Sequence, residues 1–242
     1  MELPRAFGRA LRDLRNRVDF FLRSRVRLGR DVDAAAMVAQ DAPLQAEFGD
    51  CLSRFDWRSA LTRFSGRDRL VVADVGCRTF HFAPVLERCF ATHGLRVELH
   101  GIELDAFRRF TDLRTRQDHG RFWAAQVEAG RYHAIDVREF REPLDVAFQL
   151  NPFVTREPLL RWGLPLRTFA PEAIFDHLAA LLRPRRGLLY TSNPTEEELT
   201  ITRTIAQAAG FSPMREQHWQ AAAPSESTDR WCALWSAGVS AG

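Results

Sequence analysis

The sequence predicts an α/β chain, a doubly wound and mostly parallel sheet of seven strands preceded by a helical extension. Three observations predict it. From residue 69 onward, short apolar runs alternate with stretches of helical period, as strands and crossover helices do. The first of these runs ends at Gly76, just ahead of a helix, where a parallel sheet turns tightly at a strand's carboxyl end. Residues 1–66, by contrast, carry only helical periodicity.

In the extension, Leu3, Phe7, Leu11, Leu14, Val18, Phe21, Leu22 and Val26 recur every three or four residues, and arginines fill the opposite face. Two readings stand. One is a helix packed on the main domain with its basic side solvated; the other is a helix lying on an anionic membrane or on a partner protein. Residues 34–64 read as two shorter helices interrupted at Pro43 and ending near Ser65-Gly66. The domain division expected is therefore 1–66 and 67–242.

Leu70 to Val75 is the first strand, followed by a helix through about Ala91. Arg96 to Glu103 is the second, with a helix expected from Ala106 toward Phe110. A short third strand covers Arg131 to Ile135, and the fourth runs from Leu144 to Leu150. The segment 170–182 is helical and leads through Arg183-Pro184 and Gly187 into the fifth strand, Leu188 to Ser192. A helix from Glu196 to Ala209 stops at Gly210, a residue suited to a helix C-terminus. A hairpin, around 211–218 and 231–236, closes the sheet. Glu196, Glu197 and Glu198 fall in a first helical turn, where the helix dipole explains them, with Thr195 as cap; a grip on a cationic substrate is the alternative.

Composition narrows the function. All 34 basic residues are arginine, and 31 acids leave a formal charge of +3, too even a balance for a dedicated nucleic-acid binder. No apolar run reaches the length of a membrane span and the N-terminus lacks a secretory pattern, so a cytoplasmic location is expected. Cys51, Cys77, Cys89 and Cys232 form no CxxC pair and read as free thiols; His81 and His93, four residues after Cys77 and Cys89, leave a weak zinc alternative. Neither a GxSxG elbow nor a phosphate-binding GxxxxGK[ST] loop occurs.

The strand order and its motifs resemble the class I S-adenosylmethionine-dependent methyltransferase family over roughly three-quarters of the chain, which implies a Rossmann-like fold. The family's VLDLGCGTG pattern aligns with Val72-Ala73-Asp74-Val75-Gly76-Cys77-Arg78-Thr79-Phe80. Gly76 keeps the first glycine, while Arg78 and Phe80 replace the second and third. The resemblance implies S-adenosylmethionine as cofactor, with Asp74, Gly76 and Arg78 around it. Arg78 could pair with the cofactor's carboxylate. Alternatively the two substitutions block the pocket, or Arg78 points to solvent and Phe80 packs under the following helix.

In the family an acid at the Glu103 position accepts hydrogen bonds from the ribose hydroxyls, and Glu103 lies 27 residues beyond Gly76, a distance that suits one strand-helix-strand passage. Asp105 is the second choice. Asp136, in YHAIDVREF, corresponds to the aspartate that contacts adenine, and Asp145 to a structural aspartate at the fourth strand. Asn151-Pro152-Phe153 is similar to the NPPY or NPPF signature that clamps a target amine, with one proline missing; a plain strand-ending turn is the alternative. His81, beside the altered loop, is a candidate base, and Asn151 is the other weak catalytic candidate. The apolar stretch 155–169 reads either as a lid over the pocket or as packing for the N-terminal helices. The functions implied are methyl transfer to a small molecule or, alternatively, a catalytically inactive methyltransferase-like binding protein.

Overall fold

The computed structural model describes residues 2–23, 25, 33–220 and 229–238, with the first helical turn described by its backbone alone. Seven strands share one sheet: β1 (Arg69–Val75), β2 (Arg96–Ile102), β3 (Gly130–His133), β4 (Val146–Leu150), β5 (Leu188–Asn193), β6 (Phe211–Trp219) and β7 (Arg230–Ala237). Their spatial order is β3-β2-β1-β4-β5-β7-β6; β1 to β5 run parallel and β7 is antiparallel to both neighbours. Because the order reverses between β1 and β4, a crevice opens beyond the carboxyl ends of those two strands, the place where such sheets bind ligands.

β1 is buried along almost its whole length, as an inner parallel strand covered on both faces must be. Alternate residues serve the two faces. Leu70 and Val72 enter one core with Val97, Leu99, Phe148 and Tyr190, whereas Val71, Ala73 and Val75 enter the other with α7 (Pro171–Leu182) and α8 (Glu196–Ala208). The same parity turns Asp74 toward the first face.

That face is covered by α4 (Ala83–Ala91) and by the N-terminal elements α2 (Ala34–Ser53) and α3 (Trp57–Leu61), whose Phe48, Leu52 and Trp57, with Phe64 of the 3-10 turn that follows, join the same core as the strands. Pro43 does not divide α2. The helix runs through it, capped by the Asp33 carboxylate and pinned by buried Met37 on one side of the proline and Phe48, Cys51 and Leu52 on the other, so tertiary packing outweighs the lost hydrogen bond.

The helix expected from Ala106 is also corrected. Residues 104–107 form turns, and α5 (Arg116–Ala124) starts later, at a reciprocal cap in which Thr115 and Asp118 satisfy each other's backbone N–H groups. Thr195 caps α8 by accepting from the Glu198 N–H at 3.1 Å, which accounts for the three acids of its first turn as a helix start. Asp145 accepts from the Val71 N–H at 2.8 Å and from Arg67 and Arg185, fastening β1 to β4 and to the turn before β5. No described helix is long and apolar enough to cross a membrane.

The helix α1 (Glu2–Arg23) departs furthest from a simple packed-helix reading. It meets α6 (Arg156–Arg161) and the following loop with its polar side, through Arg12 to Glu157 at 3.0 Å and Asn16 to the carbonyls of Leu160 and Leu164 at 3.0 and 3.1 Å. Its apolar stripe faces outward. The expectation of a packed apolar face with a solvated basic side is thereby overturned, because the loop presents bare carbonyls that a polar face can satisfy and an apolar one cannot. Val26 lies outside the described residues, and the side chain of Leu3 likewise.

Candidate cofactor cleft

The loop after β1 is built on left-handed residues. Gly76, Arg78 and Phe80 have φ of 72°, 53° and 59°, so the backbone keeps a path suited to three glycines although two side chains stand on it. A left-handed non-glycine residue costs about 1–2 kcal/mol. The loop is held there by the Gly76 and Cys77 N–H groups, which donate to the Ile102 carbonyl at 2.8 and 3.2 Å, and by the Arg78 N–H, which donates to Glu103 Oε2 at 2.8 Å. Phe80 is fully buried against Gly101 of β2, where a Cβ would come within 2.6 Å of its ring. Phe80 therefore packs on the neighbouring strand and lines neither cavity described below. Arg78 remains an exposed residue, and its guanidinium lies 4.9 Å from the Trp162 ring centroid.

Two adjoining cavities open at the switch point. The first, about 1060 Å³ with its mouth, is lined by Glu103, Arg116, Asp136, Gln149 and Phe153 and roofed by residues of the 155–169 stretch and α7. The second, about 890 Å³, is lined by Asp74, Cys77, His81, Phe48 and Arg230. Gly76, Arg78, Leu150, Asn151 and Trp162 border both, so the Arg78–Trp162 stack stands where they meet. The cofactor, acceptor and base candidates, Asp74, Gly76, Arg78, His81, Glu103, Asp136 and Asn151 to Phe153, all border one cavity or the other, whereas Asp105 and Asp145 border neither.

Four buried side-chain atoms around these cavities have no hydrogen-bond partner among the described residues: Asp74 Oδ2, His81 Nε2, Arg116 Nε and Gln149 Oε1. Buried polar groups are normally satisfied, so such a concentration marks a place shaped for a polar ligand. Burial, and secondarily the negative charge of Glu103, pushes the Asp74 carboxyl up to about 7. His81 accepts or donates through Nδ1 to Thr79 Oγ1 at 2.8 Å, and burial beside Arg78 lowers it to about 3. A histidine so depressed is neutral at physiological pH and a poor proton acceptor there.

Glu103 faces the first cavity, but much of its capacity is in use. Besides the Arg78 N–H it accepts from the Asp105 N–H at 2.7 Å and from Arg116 at 3.2 Å, three partners for about four lone-pair sites. Asp105 is spent on Arg108, Arg23 and Arg116 and lines neither cavity. Asp136 caps the turn 137–139 and holds Arg138 at 3.0 and 2.6 Å; burial pushes its carboxyl up, but the bonds from Arg138 outweigh this and bring it below the ordinary value.

Asn151 ends β4 in a left-handed conformation, with φ of 53°. Its Oδ1 accepts from Arg230 Nη1 at 2.7 Å, and Phe153 lies 6.1 Å from Trp162, ring to ring. The stretch 155–169 takes both of its expected parts, since Leu159, Trp162 and Leu164 line the first cavity while Leu160, Leu164 and Leu166 are tied to α1. Sequence reasoning missed Arg230 and Trp162 as site residues. The first arrives from the antiparallel β7, 79 positions from Asn151, with no local signal; the aromatic within an over-apolar loop was the available clue to the second.

Away from the cleft, a group with metal-ligand chemistry brings Glu98 and His100 of β2 together with Glu142 of the segment before β4. Arg131 donates to Glu98 Oε1 at 3.0 Å, so a protein cation already serves that carboxylate.

The fold recurs in solved structures. Magnesium protoporphyrin IX methyltransferase (ChlM) from Synechocystis PCC 6803, solved with bound SAM, aligns over 89% of this chain and 90% of its own with a TM-score of 0.52 and 15% identity. This chain has the class I methyltransferase fold. An S-adenosylmethionine-dependent methyltransferase from Aquifex aeolicus (86% of this chain, 100% of its own, TM-score 0.52, 14% identity) and the N-methyltransferase NodS from Bradyrhizobium japonicum (81% and 97%, 0.51, 13%) share it. No protein-family model and no curated protein matches the chain.

Proposed function

We propose that the chain is an S-adenosylmethionine-dependent methyltransferase acting on a small-molecule acceptor. The observation that carries this reading is the concentration of unpartnered buried polar atoms on two adjoining cavities of a methyltransferase-fold cleft. The nucleoside would lie in the first cavity, its ribose on the acceptor capacity left to Glu103 and its base beside Asp136. Asp74 Oδ2 suits the ammonium of the methionine end, since an opposite charge would stabilise a carboxylate that burial now disfavours. Arg78 suits the carboxylate next to it.

The cofactor supplies an electrophilic methyl group when bound. The protein's part is to hold an acceptor in line, exclude water and, where the acceptor carries one, accommodate its proton. Asn151 borders both cavities, Pro152 and Phe153 line the first, and the three would orient that acceptor. His81, held neutral, is better fitted to a hydrogen bond than to proton removal. The largely apolar lining of the first cavity under a tethered roof favours a small acceptor over a macromolecule.

Calorimetric titration with S-adenosylhomocysteine tests this. One site is expected, weakened roughly tenfold or more in Asp74→Ala and in Glu103→Ala. No heat with either S-adenosylhomocysteine or S-adenosylmethionine at millimolar concentration overturns it.

One observation favours a second reading, a methyltransferase-like protein that binds a ligand without transferring methyl. Arg78 and Trp162 stand between the two cavities, where a cofactor spanning both would pass. If Arg78→Gly raises the affinity for S-adenosylhomocysteine by roughly tenfold or more, the native stack is an obstruction and this reading gains.

A further inference from the structure

The α1 helix reverses the usual arrangement of a surface helix. Its inner side is polar: Arg12 pairs with Glu157, Asp13 accepts from the Leu166 N–H at 2.6 Å, Asn16 is buried against two carbonyls, and Arg23 reaches Asp105. Its outer side is a stripe of Phe7, Leu11, Leu14, Val18, Phe21 and Leu22, each half-exposed or more and Phe7 71% exposed. These positions follow the helical repeat, so they form one continuous apolar band about 22 Å long. A packed-core explanation is closed to it, because the polar side already occupies the contact with the rest of the protein.

The charges beside the band say what would cover it. On a helical wheel Arg15 and Arg17 lie on opposite flanks of the band, and Arg25 continues its C-terminal end with its guanidinium 4.7 Å from the Phe21 ring centroid. Arg17 has no ion-pair partner among the described residues, and Arg15 makes only a 3.7 Å approach to the exposed Asp19. Basic residues on both borders of a convex apolar band match a plane that is anionic at its surface and apolar beneath, with the long arginine stems reaching back to the headgroups. A second copy fits less well. A twofold pairing of the same bands would bring like-charged flanks together, and a single helical stripe offers little of the roughly 800 Å² per partner that stable interfaces bury.

We infer that α1 is a membrane-surface docking helix, which lays the band from Phe7 to Leu22 into an anionic lipid leaflet while its polar side stays fastened to the roof of the cleft. This places the protein on a membrane, parallel to its surface, without spanning it.

Vesicle flotation with the full chain decides the matter, independently of any activity. The chain is expected to float with vesicles of one part phosphatidylglycerol to two parts phosphatidylcholine, and roughly tenfold less with phosphatidylcholine alone. The triple variant Leu11→Gln/Leu14→Gln/Phe21→Gln, which changes only exposed positions to a good helix former, should lose flotation with an unchanged circular dichroism spectrum. Arg15→Gln/Arg17→Gln should weaken the anionic binding alone. Failure to float on the anionic vesicles, or equal flotation of the triple variant, overturns the inference. So does a wild-type dimer in sedimentation velocity that fails to float and dissociates in the triple variant, which would assign the band to a second copy.

Discussion

The ring of Phe80 rests on Gly101 so closely that a Cβ added to the glycine would stand 2.6 Å from it. A glycine in the middle of β2 is otherwise a weak strand residue, and its use here is to admit a side chain that the loop has turned downward. Gly101→Ala should therefore destabilise the protein by about 1–3 kcal/mol through overpacking, despite the better strand propensity of alanine. Phe80→Ala should cost about 3–5 kcal/mol, and urea unfolding measures both.

Arg78 offers a comparison with an unusual sign. Both Arg78→Ala and Arg78→Gly remove the stack on Trp162, but only glycine also releases the left-handed strain. Arg78→Gly should be more stable than Arg78→Ala by about 1 kcal/mol in urea unfolding, the reverse of the ordinary order of these two residues.

Asp74 makes stability depend on pH. Its folded carboxyl is raised to about 7 from the ordinary 3.8, first by burial and then by Glu103, so between these values the folded chain holds a proton that the unfolded chain has released. Stability attributable to this group is greatest below about pH 4, falls as pH rises toward 7 and levels off above, each tenfold difference in proton affinity between the folded and unfolded chain being worth about 1.4 kcal/mol. Asp74→Asn lacks this decline. The stability of the variant relative to wild type should rise between pH 4 and pH 7 in paired urea unfolding curves, and a constant difference would refute the assignment.

Asn16 fastens the roof. It is 7% exposed and its amide donates to both Leu160 and Leu164, so Asn16→Ala leaves two loop carbonyls without that partner at a cost of about 1–3 kcal/mol. Hydrogen exchange should quicken selectively across residues 159–166, with β1 and β4 unchanged.

Much of the sheet was legible because its inner strands are buried on both faces and stand out as apolar runs, and because Gly76 and Glu103 sit at strand ends, where geometry demands particular residue types. The helix predicted from Ala106 failed for a readable reason: Thr115-Arg116-Gln117-Asp118 is a capping signature, and it marks the true start of α5. Pro43 misled because a local cost was weighed without the core that α2 fills. The direction of α1 was not legible at all. Periodicity reveals that a helix has an apolar face, but which face meets the protein depends on partners such as Glu157 and Leu164, which lie 145 and 148 residues from Arg12 and Asn16. Arg230 is hidden for the same reason, since only the closing of β7 against β5 brings it to Asn151.

A crystal structure grown with S-adenosylhomocysteine puts the cofactor site to the sharpest test. The nucleoside is expected between Glu103 and Asp136, the amino group at Asp74 Oδ2, and Arg78 moved off Trp162 to meet the ligand's carboxylate. Density for the ligand outside this cleft, or an unchanged Arg78–Trp162 stack with no ligand at millimolar concentration, would show that the cleft does not hold this cofactor.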